Sequence, residues 1–233
     1  MIAPPAGYAA TALLGAVLGL DVVSFPQAML SRPLVAATLA GALAGSATFG
    51  LIIGATLELF ALETLPIGAS RYPEWGSAAV VGGTLFAMAE RADPLASPGV
   101  MNTAVLCAIV TAWVGSRSMV LLRQLNGRLA RRSMDALASG SARTVVGLQL
   151  GGLVGDLVRG FLLTLVALLV MVPAQNATLA RWHSPMRESR AVVVALAAMV
   201  AGGAVWKLVH AVPRARWLFL GGLLCGLAVM ALA

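Results

Sequence analysis

Apolar residues fill this chain in long runs, separated by short polar breaks. Ala6 to Leu20 is apolar but short and ends at Asp21; it reads as a tilted or partial membrane insertion. Asp21 to Arg32, with Pro26 and Gln27, is a polar break, and Pro33 suits a helix start because its missing N–H would be unpaired there anyway. Pro33 to Pro66 follows, uncharged as far as Leu57. A crossing helix needs about 20 mostly apolar residues. The stretch is therefore too long for one crossing and too short for two. With Gly41, Gly45, Gly50 and Gly54 spaced along it, it reads as a broken or re-entrant hairpin. Irregular backbone at membrane depth survives only where protein or a water-filled cavity satisfies it.

Further along, Ala69 to Gly76 reads as an interfacial loop, and Ser77 to Ala89 as another half-crossing. Glu90 to Pro98 is a polar turn and Gly99 to Ser116 a span. From Arg117 to Arg143 six arginines face one acid, Asp135, while Leu122, Leu125 and Leu129 recur at helical spacing. That pattern predicts a basic amphipathic helix lying along the cytoplasmic membrane face. Thr144 to Val172 crosses, interrupted by Asp156 and Arg159, which share a helix face and can pair to lock that helix against a neighbour. Pro173 to Arg190 reads as a polar loop outside, Ala191 to Trp206 crosses back, and Trp217 to Ala233 is the last span. The fold class is an all-α integral membrane bundle in three parts. Residues 1–116 carry the hairpin (33–66), 117–143 form the cytoplasmic helix, and 144–233 form the C-terminal helices.

Composition agrees: 60% hydrophobic, 11% charged, mean hydropathy +0.92. The net charge of +7 is then an effect of cytoplasmic loops rather than a nucleic-acid surface. No basic leader suggests a cleaved signal peptide. Cys107 and Cys225 both sit in apolar runs and read as small apolar residues.

Glu58 leads the candidate chemistry. A carboxylate at membrane depth must face a cavity or a partner. With the hydroxyl of Thr56 it suits the donors and acceptors of a sugar. The alternative is a structural Glu58 that caps backbone N–H groups of a broken helix. Glu63 lies nearer an interface. Asp21 and Gln27 bracket a turn that could close over the hairpin, although Asp21 could equally be a helix-end residue facing water. Arg32 reads as a snorkelling interfacial anchor. His183 and His210 have no partners at metal-ligand spacing, and no nucleophile–base pattern or nucleotide-binding glycine motif has a fitting context. No catalytic residues, cofactor or metal are expected, and an intramembrane enzyme is disfavoured.

Several motifs follow one another in order: Leu20-Asp21, Phe25-Pro26-Gln27, Ser31 to Ala36, Gly50 to Leu59, Leu65-Pro66-Ile67-Gly68-Ala69 and Tyr72-Pro73-Glu74. Further on come Leu125 to Leu129, Asp135-Ala136 and Ser139-Gly140. In these the chain resembles the IIC membrane component of the mannose/fructose/sorbose-type bacterial phosphotransferase system. The resemblance covers most of the chain and is strongest from Asp21 to Glu74. It implies a multi-pass subunit of the bacterial inner membrane that takes up a sugar. Its implied partners are a IID membrane subunit, cytoplasmic IIA and IIB phosphocarriers and the lipid bilayer, in a trimeric complex with an elevator-like core. It also implies that Glu58, Thr56 and the turn containing Pro66, Gly68 and Ala69 lie at the sugar site, with Asp21 and Gln27 in the neighbouring motif. The chain departs from the family at Ser46, where an acid is common, and at Arg131 and Arg132, where a His is common before the Asp. A regulatory role follows as the alternative: a membrane interaction or sensor platform that docks soluble partners through Arg128, Arg131 and Arg132.

Overall fold

The computed structural model describes residues 5–22, 24–62, 72–92, 99–182, 185–210 and 212–232. Among them the chain forms α-helices and no strand. In order these are α1 (Pro5–Asp21), α2 (Pro33–Leu43), α3 (Ala47–Ala61), α4 (Trp75–Ala92), α5 (Val100–Arg132), α6 (Met134–Ala138), α7 (Ala142–Leu179), α8 (Met186–Val209) and α9 (Ala215–Leu232).

The hairpin is α2 and α3. Pro33 opens α2 from an extended Arg32. Gly45 turns the chain at φ 99°, a left-handed conformation that glycine adopts without penalty. Ser46 then caps α3, its hydroxyl accepting from the Phe49 N–H at 3.4 Å. The arms are about 16 and 22 Å long by helical rise, each short of the ~30 Å hydrocarbon core. They press backbone to backbone. A Cβ on Gly41 would lie 2.6 Å from the Gly50 Cα, and one on Gly50 would strike the Ala37 carbonyl. This is how small residues let membrane helices approach without side chains between them.

Helix α4 backs the hairpin and is enclosed by protein. Ala78, Ala79, Val80, Val81, Leu85, Phe86 and Ala87 are all at most 1% exposed. The expected half-crossing at 77–89 is therefore an 18-residue inner helix with α1, α2, α3, α5 and α7 around it. Among the described residues three helices, α5, α7 and α8, are long and apolar enough to cross a membrane. Much of the apolar surface of α7, α8 and α9 faces outward, as lipid-facing helices require.

Two expectations need correction. The basic stretch 117–143 is not a single separate helix. Its first half continues α5 without a break, α6 makes the turn, and α7 starts the return, so the division at 116/117 falls inside a helix. At 33 and 38 residues, α5 and α7 rise about 50 and 57 Å, more than the hydrocarbon core needs, and the arginines occupy the excess. Nor does a loop begin at Pro173, because α7 runs through it to Leu179. A proline inside a membrane helix is tolerated where neighbouring groups take up the freed backbone. Just beyond it, the buried Gln175 donates to the Thr103 hydroxyl of α5 at 3.1 Å and ties that end of α7 into the bundle.

Candidate functional site

The polar groups of this chain gather where the end of α1, the loop to α2, the end of α3 and the start of α4 meet. Asp21, only 2% exposed, closes α1 and reads the backbone of the loop beyond it: it accepts from the N–H of Ala28 at 2.7 Å and of Ser31 at 2.8 Å. Asp21 thus stands at a helix end, but it faces protein rather than water. Its two bonds hold the loop in a shape that includes left-handed Gln27 (φ 59°) and Met29 (φ 62°). Gln27 lies on the exposed stretch of this loop.

Glu58 takes hold of the next residues from the other side. It forms an ion pair with Arg32, and its second oxygen accepts from the Leu34 N–H at 3.1 Å. Leu34 stands in the first turn of α2, where backbone donors have no partner within the helix. A carboxylate there satisfies a donor and complements the helix dipole. Glu58 thus does what the alternative reading described, capping a broken helix. Arg32, expected as an interfacial anchor, is its counterion. Asp21 and Glu58 together grip the segment 28–34 at its two ends.

Thr56 does not join them. Two residues before Glu58, it points some 200° around α3 by helical geometry. It is buried and donates to the Ile52 carbonyl of its own helix at 3.2 Å. Thr11, Thr84, Thr103, Thr111 and Thr164 do the same four residues back, the usual way of satisfying a hydroxyl inside an apolar bundle. Glu63, Pro66, Gly68 and Ala69 lie outside the described residues. Beside the gripped segment is a cavity of about 50 Å³ lined by Val22, Ser31, Arg32, Ala61, Tyr72 and Trp75, among others.

Beneath this cavity lies a second polar layer that reading the sequence missed. Tyr72 accepts from Arg123 Nη2 at 2.8 Å and stacks under the same guanidinium. Glu74, taken for part of an interfacial loop, is fully buried. Its backbone N–H donates to the Ala112 carbonyl of α5, and its Oε1 accepts from the Ser77 N–H at 3.0 Å. The signal was local: an acid just before a helix, three residues ahead of the N–H it caps. Asp156 and Arg159 do pair, Nε to Oδ1 at 2.8 Å. They also reach further than helix locking requires. Arg159 donates to Ser118 of α5, and Asp156 accepts from Ser24 in the gripped loop at 2.8 Å. Arg128, Arg131 and Arg132 are exposed at the far end of α5, where cations complement the helix dipole.

A family model described as the sorbose-specific IIC component of the PTS system matches residues 8–203. The fructose permease IIC component of Bacillus subtilis (strain 168) is 25% identical over 167 residues, 72% of this chain and 59% of that protein. The PTS system mannose-specific EIIC component of Escherichia coli (strain K12) is 34% identical over 90 residues, 35% of this chain and 34% of that protein. Each match spans less than two thirds of the relative's length. Among solved structures, one described only as a membrane protein superposes with a TM-score of 0.72 at 20% identity, covering 97% of this chain and 92% of that one. The mannose transporter ManYZ in complex with microcin E492 superposes with a TM-score of 0.62 at 19% identity, covering 97% and 88%. At these identities the likeness is one of fold.

Proposed function

The chain belongs to the sorbose-type IIC family of the sugar phosphotransferase system, a family of multi-pass proteins of the bacterial inner membrane, and from that premise we propose that it is the sugar-translocating subunit of such a system. It works with a IID subunit in a trimeric membrane complex, and cytoplasmic IIA and IIB phosphocarriers phosphorylate the sugar it delivers. One observation carries this reading. Two carboxylates, Asp21 and Glu58, hold the two ends of a single loop segment at the rim of a cavity.

The arrangement suits a solute that comes and goes. Glu58 is engaged by Arg32 and one backbone N–H, and its side chain is still 20% exposed. A sugar hydroxyl can take over those bonds without leaving a buried charge bare. Arg32 lines the cavity and closes on Glu58, so a sugar that reached Glu58 would displace the Arg32 side chain. Arg123 of the basic half of α5 touches Tyr72, which supports reading the site as lying on the arginine-rich side. By the positive-inside rule that side is cytoplasmic, where a phosphate donor meets the sugar.

The experiment is sugar uptake into vesicles that carry the chain with its IID partner. Glu58→Gln keeps the shape but loses the charge on which Arg32 closes, so uptake falls at least about tenfold. Unchanged binding and uptake in that variant would remove Glu58 from the mechanism. The second reading is a regulatory platform, and the exposed cluster Arg128, Arg131 and Arg132 favours it. Reversing those three charges then abolishes capture of the soluble phosphocarriers while uptake of free sugar is spared. Unaltered capture would count against it.

A further inference from the structure

We propose that Asp156 is a positioning residue of the site. From α7 it holds Ser24, and through Ser24 it fixes the start of the loop between α1 and α2, whereas Asp21 and Glu58 hold the end of that loop. What this hold does for a sugar rests on the transport reading; the hold itself does not.

Asp156 divides its two oxygens between two tasks. Oδ1 accepts from Arg159 Nε at 2.8 Å, and Arg159 Nη1 donates to Ser118 of α5 at 3.3 Å. Those two bonds are enough to lock α7 against α5. Oδ2 stands outside that lock: it accepts from the Ser24 hydroxyl at 2.8 Å, across 132 residues of chain. Only 6% of the Asp156 side chain is exposed, while Ser24 lies on the exposed surface of the loop. A hydrogen bond to an ionised acceptor with little water around it is shorter and stronger than one between neutral groups. A helix lock has no use for such a bond to a surface loop; a loop that must keep its place does.

The place of Ser24 in the loop gives the bond its effect. The backbone N–H groups of Ser24 and Phe25 share one acceptor, the Leu20 carbonyl at the end of α1, at 3.0 and 3.2 Å. Phe25 to Leu30 are exposed and turn through left-handed Gln27 and Met29. Asp21 then takes up Ala28 and Ser31, and Arg32 meets Glu58. A sugar that displaces Arg32 from Glu58 releases the last of these holds. The Asp156–Ser24 bond involves neither Arg32 nor Glu58, so it survives that exchange. It keeps the start of the loop from moving with Arg32 and ties the site to α7, a helix long enough to cross the membrane. A loop fixed before the solute arrives has less order to gain on binding, so affinity is where its loss shows.

The test uses the full chain with its IID partner in vesicles and reads two quantities. The first is loop motion without sugar, by continuous-wave electron paramagnetic resonance. The spin label sits at Met29→Cys, 74% exposed on the loop, in a Cys107→Ala, Cys225→Ala background. Ser24→Ala, which removes one hydroxyl from an exposed position, raises the mobile fraction of the label about threefold. Ser24→Thr, which keeps the hydroxyl, restores the parent spectrum. Asp156→Asn also loosens the label, and combining it with Ser24→Ala adds nothing further, because both remove the same bond. The second quantity is uptake by the unlabelled chain: Ser24→Ala raises KM about fivefold and keeps the maximal rate within about twofold of the parent. A label that Ser24→Ala does not loosen, additive effects of the two changes, or a lower maximal rate at unchanged KM overturns the proposal. Ser24→Ala set against Ser24→Thr decides the matter even if Asp156→Asn does not fold. A parent chain that takes up no sugar while its label responds to both changes would sink the transport reading and leave the hold standing.

Discussion

At the scale of single residues, position on a helix decides what a polar group can do. Glu58 and Thr56 are neighbours in sequence and look like a pair, yet the turn of α3 sends them to different surroundings. The Thr56 hydroxyl is spent on its own helix, and valine has the same shape. Thr56→Val is therefore expected to hold uptake within about twofold of the parent, where Glu58→Gln loses at least about tenfold. Parallel uptake assays on the two variants separate the roles, and an equal loss in both would put Thr56 back at the site. The same contrast separates Asp21 from Gln27. Asp21 is a buried acceptor of two loop amides, and Gln27 lies on the exposed outer stretch of the loop it shapes.

At the scale of elements, the hairpin is a packing device before it is a site. Its arms are too short to cross a bilayer alone, and they are held together by glycine faces and by α4 behind them. A side chain at Gly50 would have to displace the Ala37 carbonyl of the facing arm. Gly50→Val is expected to destabilise the protein by about 2 kcal/mol or more. This shows as a lower melting temperature in detergent, together with loss of sugar binding because Glu58 and Leu34 no longer meet. A Gly50→Val variant that melted with the parent would mean that the arms do not touch. Pro173 is the opposite case, a residue that usually ends helices standing inside one. The bundle around α7 overrides local propensity there, and for that reason the loop expected at 173–190 gives way to α7 as far as Leu179 and to α8 from Met186.

At the scale of the molecule, arginines gather densely at one end. The C-terminal half of α5, α6 and the start of α7 form an arginine-bearing extension beyond the length that a bilayer demands. The polar layer with Tyr72, Glu74, Asp156 and Arg159 sits between that extension and the apolar core. If the positive-inside rule orients the chain, a thiol introduced as Arg131→Cys reacts with an impermeant reagent in inside-out vesicles and not in right-side-out ones. Labelling from the outer face would reverse the orientation and move the site away from the phosphocarriers.

Periodicity and composition were enough for the class of this protein: a helical membrane bundle, a hairpin that starts at Pro33, a basic end and an Asp156–Arg159 pair. Each follows from local rules, namely helical spacing, the transfer cost of charge into lipid and the freedom of glycine. Which acids face each other was decided only by tertiary packing. Glu74 is buried because α1 and α5 offer it glycines, Gly19 and Gly115, that lie far from it in the chain. Ser24 meets Asp156 across 132 residues of chain. A run of apolar residues states that a segment leaves water; it carries no information on which neighbour it will meet, because small and apolar faces pack with one another in many registers. The register that was realised turned Arg32 from an anchor into a counterion and a loop acid into the centre of a buried charge layer.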